Sequence, residues 1–110
     1  MIVDMNAEPL VCDMSVFTPA ERDRHVQNTR DLLTSLQAIH KTAEGCEFVF
    51  PNGSGSIARL AEFIVNEQLC CPFLEFTMKI GPADTPVSLT LTGPEGTREF
   101  LREEFSEVFS

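Results

Sequence analysis

The sequence predicts an α+β fold: a two-layer sandwich in which helices cover one face of a mainly antiparallel sheet, in the order β-α-β-α-β-β-α. Three observations carry this. Runs that alternate apolar with polar residues are interleaved with runs at helical spacing. The last two alternating runs are joined by only a short Gly-Pro-rich turn, which pairs them as a hairpin. The six glycines include no Gly-rich strand-to-helix turn, which removes a nucleotide-binding doubly wound sheet and, with it, a nucleotide cofactor.

Leu10 to Val16 carries Val11, Met14 and Val16 in partial alternation and predicts a short first strand. Thr18, Pro19 and Glu21 stand where an N-cap, an N1 proline and an N3 acid belong, so a long helix is expected from about Pro19 to Thr42. At about 100° per residue, Leu32, Leu33, Leu36 and Ile39 fall on one arc of that helix, with Arg22, His25, Thr29 and His40 close to it. Cys46 to Phe50 alternates and places Cys46, Phe48 and Phe50 on one face of a second strand, so Cys46 reads as core filler. Pro51 to Ser56 is a loop, and Ser56 is expected to cap a second helix. The apolar stripe of that helix, Ile57, Leu60, Ala61 and Ile64, runs on towards Cys71, where Pro72 ends it. Phe73 to Ile80 and Val87 to Thr92 make the hairpin, with Val87, Leu89 and Leu91 inward. After the break at Gly93 to Gly96, Phe100, Leu101, Phe105, Val108 and Phe109 recur at helical spacing in a final helix.

One domain, 1–110, is all that 110 residues provide, since single cores usually occupy roughly 100–150 residues. Seventeen Asp and Glu against eight Lys and Arg give a net charge of −9, which repels phosphate backbones and anionic lipid heads. Nucleic-acid binding by the chain alone and membrane association are therefore not expected. The N-terminus, with Asp4 and Glu8 and no basic run, does not read as a signal peptide, and the expected setting is cytoplasmic. In that reducing compartment Cys12, Cys46, Cys70 and Cys71 are expected as free thiols, metal ligands or redox groups rather than structural disulfides. There is no CxxC, and His25 and His40 do not complete a zinc-finger ladder.

Chemistry concentrates in Glu67-Gln68-Leu69-Cys70-Cys71-Pro72-Phe73. Glu67 lies three and four residues before the two cysteines, so the three share one side of a helix. Adjacent helical residues point about 100° apart, but Pro72 biases Cys71 towards extended backbone and lets its sulfur swing towards that of Cys70. The negative end of a helix disfavours a free thiolate and favours a bound cation, so the thiols should titrate at or above the ordinary value of about 8.5. Against this stands packing, the commoner role of a cysteine. Glu67 reads as a ligand, as a base that takes a thiol proton, or as a solvated helix residue, the last being the commonest role of a helical glutamate. For His25 the commoner role is a partly exposed residue packed at the helix start, and for Arg22 a snorkelling side chain. Gly93 to Thr97 lacks the lysine of a phosphate loop and reads as a turn.

Glu67 to Phe76, Leu91 to Leu101 and the Cys12-Asp13-Met14-Ser15 start resemble a family of small bacterial proteins with an E-x-x-C-C-P-F signature, related to segments fused to heavy-metal MerR-like regulators. The resemblance spans about Cys12 to Leu101. It implies an α+β domain and a thiol-rich metal site to which Cys12, Cys70 and Cys71 belong; Cys46 departs from the pattern, which has an aromatic there. Three thiols suit a soft ion, zinc or a heavier thiophile, with Glu67 and His25 behind them. Three readings stay open: a binding module for such an ion, a thiol-redox enzyme using Cys70 and Cys71, and an interaction domain whose cysteines only pack. A second copy of the chain or a regulator is the partner these readings leave open.

Overall fold

The computed structural model describes residues 10–106 and 108. Where a first strand is expected, residues 10–13 run as coil into a single 3₁₀ turn, Met14–Val16. Asp13 explains the difference. Its side chain accepts from the Ser15 backbone N–H at 3.0 Å, and such a local bond offers the backbone an alternative to a sheet ladder.

Helix α1, Pro19–Thr34, opens on the expected capping box, with Thr18 and Glu21 each satisfying the other's backbone N–H. It stops eight residues short of the expected end. Thr34 and Ser35 turn their hydroxyls back onto the carbonyls of Asp31 and Leu32, and Ala38–Lys41 leaves the helix to form strand β1. A helical arc and a β-branched strand both accommodate Ile39, and here the tertiary pairing with a neighbouring strand decides between them. Among the described residues the first long element is therefore a helix, and there is an additional hairpin: β1 pairs antiparallel with β2, Gly45–Phe50.

Helix α2, Ser54–Cys70, starts two residues before its expected cap, with Gly53 at the N-cap. It crosses to β3, Glu75–Lys79, which forms the expected hairpin with β4, Val87–Thr92; helix α3, Thr97–Glu104, follows. The four strands lie in the order β1-β2-β4-β3, every neighbouring pair antiparallel. The registers align Ile39, Phe48, Leu89 and Met78 in one row across the sheet, and Cys46, Leu91 and Phe76 in the next. These rows face the core, and the alternate residues, among them Glu47, Thr77 and Thr90, face outward. Gly45 is required at its place, because a Cβ there would collide with the Leu91 carbonyl of β4.

All three helices cover this one face. Leu32 of α1, Leu60 and Phe63 of α2, and Phe105 just after α3 enclose a small apolar cavity with Phe48, Phe50, Leu89 and Leu91 of the sheet. Phe105 meets Phe48 edge-on at 5.4 Å between centroids. Asn28 donates to the Arg59 carbonyl at 3.0 Å, tying α1 to α2. The surface pairs Arg24–Glu62 and Arg59–Asp31 span the same two helices and add little.

A core on one face predicts unequal responses from neighbouring strand positions. Leu89→Ala, at a residue 2% exposed, should cost about 2–5 kcal/mol in urea denaturation, whereas Thr90→Ala on the outer face should cost less than about 1 kcal/mol. Equal losses would mean that the outer face is also packed.

Candidate metal centre

On α2 the residues turned towards the core are Leu60, Phe63, Glu67 and Cys70, a continuous stripe at helical spacing. Its first half is apolar and its second half carries an acid and a thiol. Glu67 is therefore buried, 3% exposed, and not the solvated helix residue that its charge suggests. The helix ends at Cys70 as expected, and Cys71, with φ −126° and ψ 70°, leaves the helical region ahead of Pro72. Its N–H still donates to the Glu67 carbonyl at 2.7 Å. The turn brings the Cys71 sulfur to 3.6 Å from that of Cys70 and 3.4 Å from Glu67 Oε2.

The coil ahead of the 3₁₀ turn docks on this helix end. The Asp13 N–H donates to the Cys70 carbonyl at 2.8 Å, using one of the carbonyls a helix terminus leaves free. Cys12 is thereby set beside Cys71, with Cα atoms 4.5 Å apart, and the two sulfurs are joined as a disulfide. This departs from the expectation of free thiols, which holds for Cys70 and Cys46 only. Cys12 reaches the site from coil rather than from a strand, and its pairing with Cys71 spans 59 positions of sequence.

His25 comes from α1. Its ring lies between Phe17 and Phe63, with centroids 5.5 and 5.8 Å away, and is 4% exposed, where a partly exposed residue was expected. Its Nε2 shares a hydrogen bond of 2.9 Å with Glu67 Oε1, and its buried Nδ1 has no hydrogen-bond partner among the described residues. Glu104, at the end of α3, closes the cluster. One of its carboxyl oxygens lies within 4.8 Å of one of Glu67, and its Oε1 lies 3.5 Å from the Cys12 sulfur, although the residue as a whole is exposed at the mouth of the site.

Three overlapping sets of potential ligand atoms result, each within 4.8 Å: Cys12, Cys70 and Cys71; Cys12, Glu67, Cys71 and Glu104; and His25, Glu67 and Cys70. Sequence reasoning names five of these six residues and misses Glu104. The signal was present, since Glu104 is an acid embedded in the helical repeat of Phe100, Leu101 and Phe105. Arg22 is exposed, and His40 pairs with Glu47 on the sheet, away from the cluster. Cys46 packs in the sheet, 1% exposed.

Without a cation the cluster is held in its neutral forms. Burial raises the Glu67 carboxyl, against the hydrogen bonds from Glu104 and Cys70. Desolvation likewise raises Glu104, to about 9, reinforced by the neighbouring Glu67 carboxyl, so both carboxyls are biased towards their protonated forms. Cys70 is pushed up to about 12 by burial and by the Glu67 and Glu104 charges. His25 is lowered by burial, against the pull of Glu104 and Glu62. A thiol, two carboxyls and an imidazole all biased towards their neutral forms make a poor nucleophile. They make a set of donors that a cation would deprotonate together.

A scan against protein-family models finds no match to this chain, and neither do searches of the curated proteins and of the solved structures.

Two expectations follow from the electrostatics. In Glu67→Gln, loss of the charge beside Cys70 should lower the thiol's titration point and speed its alkylation at pH 8 roughly tenfold for each pKa unit recovered; mass spectrometry on Cys70 reads this. An unchanged titration point would mean that the Glu67 charge does not act on the thiol. The raised carboxyls also fix a sign for stability. A carboxyl whose folded pKa exceeds its unfolded value contributes stability below the ordinary carboxylate range, and that stability is lost as pH rises. His25, lowered from 6.5, has the opposite slope, but only below its ordinary value. From pH 6.5 to 8.5 the chain should therefore become steadily easier to denature with urea, and Glu104→Gln should flatten that decline. An equal slope in the variant would remove Glu104 from the buried pair.

Proposed function

We propose that the chain is a binding module for a soft metal ion, held by the sulfurs of Cys12, Cys70 and Cys71, with Glu67, Glu104 and His25 completing and supporting the ligand set. The observation that carries this is the convergence of six ligand-capable side chains, from the N-terminal coil and all three helices, within overlapping spheres of 4.8 Å. A packing role for the cysteines explains buried sulfur but not a carboxyl and an imidazole buried against it, with a second carboxyl at the mouth of the site. Three thiolates select zinc or a heavier thiophile over hard cations.

The reading requires Cys12 and Cys71 as thiols, the form a cytoplasmic, reducing setting maintains. On binding, the ion deprotonates the thiols and supplies the positive charge that the carboxyl pair lacks. Helix α2 contributes the negative end of its dipole at the same point. The likeness of Glu67 to Phe73 to the E-x-x-C-C-P-F signature supports membership in that family and, through its heavy-metal relatives, a metal-responsive regulator as partner.

One observation favours a second reading, thiol-redox chemistry. The Cys70 sulfur stands 3.6 Å from Cys71, itself bonded to Cys12, so Cys70 as thiolate could displace Cys12 and bond to Cys71. The push of Cys70 to about 12 opposes it, since the thiolate is the attacking species.

The test is titration of the fully reduced chain with Cd(II) under anaerobic conditions. One ion per chain is expected, with sulfur-to-metal charge-transfer absorption and proton release, all lost in a Cys70→Ser, Cys71→Ser double variant. At a free ion concentration of 100 times Kd the chain should gain about 2.7 kcal/mol of stability. Absence of binding, with rapid turnover of a disulfide substrate, would place the redox reading first.

A further inference from the structure

The candidate metal centre opens onto a cleft of about 560 Å³, whose lining includes the ligand-capable Cys12, Cys70, Glu67 and Glu104, the apolar Leu10, Met14, Val26 and Phe100, and the charged Arg30 and Glu103. A bare ion with sulfur ligands needs none of this space, since a metal–sulfur bond is only about 2.3 Å long. A cavity of about 150 Å³ suffices to hold benzene. Two of the three sulfur-bearing residues, Cys12 and Cys70, line the cleft, and Cys71 stands behind them.

Resting on the soft-ion reading above, we propose that the ligand is a thiophilic ion carrying one organic group: the ion is held by Cys12 and Cys70, and its organic substituent lies against Met14, Val26 and Phe100. Such an ion has already committed one coordination position to carbon, so it needs fewer sulfurs than a bare ion and more apolar room. Both requirements are met by residues that line this one cleft. Each apolar residue that receives the substituent comes from an element that also positions a ligand: Met14 is two residues after Cys12, Val26 is next to His25, and Phe100 lies one turn before Glu104.

Phenylarsenic(III), present in water as the dihydroxide, is a probe with this chemistry. It reacts with the chain after a thiol or phosphine reductant has opened the Cys12–Cys71 bond. Two As–O bonds break and two As–S bonds form, to Cys12 and Cys70. The two thiol protons leave with the two hydroxides as water, and arsenic and sulfur keep their oxidation states.

The experiment is anaerobic titration of the phosphine-reduced, desalted full-length chain with phenylarsenic(III), methylarsenic(III) and Cd(II), followed by native mass spectrometry. One phenylarsenic per chain is expected, bound at least tenfold more tightly than methylarsenic, about 1.4 kcal/mol. Cys12→Ser and Cys70→Ser should each abolish the adduct. Val26→Asp, which puts a charge on the apolar wall, should erase the preference for phenyl over methyl while Cd(II) still binds; Phe100→Gln, outside the fully buried core, serves the same purpose if the first variant does not fold. Equal affinity for the two arsenicals, with Cd(II) bound, would overturn the organic subsite and leave the soft-ion reading standing. Failure of all three probes to bind would overturn both.

Discussion

The burial of Glu67 is the constraint on which the site depends. A carboxyl on the core stripe of α2 has to be satisfied where water is scarce, and each of its neighbours does part of that work. His25 shares one oxygen, Cys71 approaches the other, and Glu104 brings a second carboxyl within 4.8 Å from the far end of the chain. These contacts join α1, the end of α2 and the end of α3 around a single group. An apolar residue at position 67 would pack more simply and would leave the imidazole and the second carboxyl without a purpose inside the fold. The polar network is thus coherent only when read as a unit, and the unit is one proton-rich pocket beside three sulfurs.

The sheet gives this pocket a rigid back wall without taking part in it. Rows of apolar side chains at matched registers, Ile39, Phe48, Leu89 and Met78 and then Cys46, Leu91 and Phe76, settle the helices at fixed heights over one face. Phe63 and Phe105 sit at the boundary between the two regions. Phe63 touches the ring of His25 on one side and Phe105 on the other, and Phe105 reaches Phe48 of the sheet. Position at the site is therefore inherited from hydrophobic packing, while charge at the site is set by the few polar groups that the packing encloses.

Much of this was legible in the sequence. The α+β class, the hairpin of β3 and β4, the inward set Val87, Leu89 and Leu91, and the end of α2 at Pro72 all follow from periods and punctuation that act locally. The errors share one cause, which is competition between a local preference and a distant partner. Residues 38–41 continue the arc of α1 on a helical plot, and only the presence of β2 alongside turns them into a strand. Leu10 to Val16 has strand-like residues but no neighbouring strand to pair with, and Asp13 closes a local turn instead. At the site, the Glu67, Cys70 and Cys71 spacing is local and was readable. The burial of Glu67, the approach of Cys12 and the arrival of Glu104 depend on tertiary docking, which no spacing encodes.

Two states of the same side chains follow from the geometry. With Cys12 bonded to Cys71, two of the three sulfurs are spent, Cys70 remains a thiol, and the carboxyl pair keeps its proton. With that bond open, three sulfurs and two carboxyls face one another in a chain already at −9, and burial and mutual repulsion push such groups towards their protonated forms. On the proposed reading a cation would replace those protons, whereas a disulfide removes two of the thiols, so the two outcomes would compete for Cys12 and Cys71. The backbone bond from Asp13 to Cys70 serves both, because it holds the Cys12 segment on the end of α2 whether its sulfur is joined to Cys71 or to an ion. An ion bound as proposed would therefore be linked to redox state through shared atoms at this site, and the stability gained from either would be denied to the other.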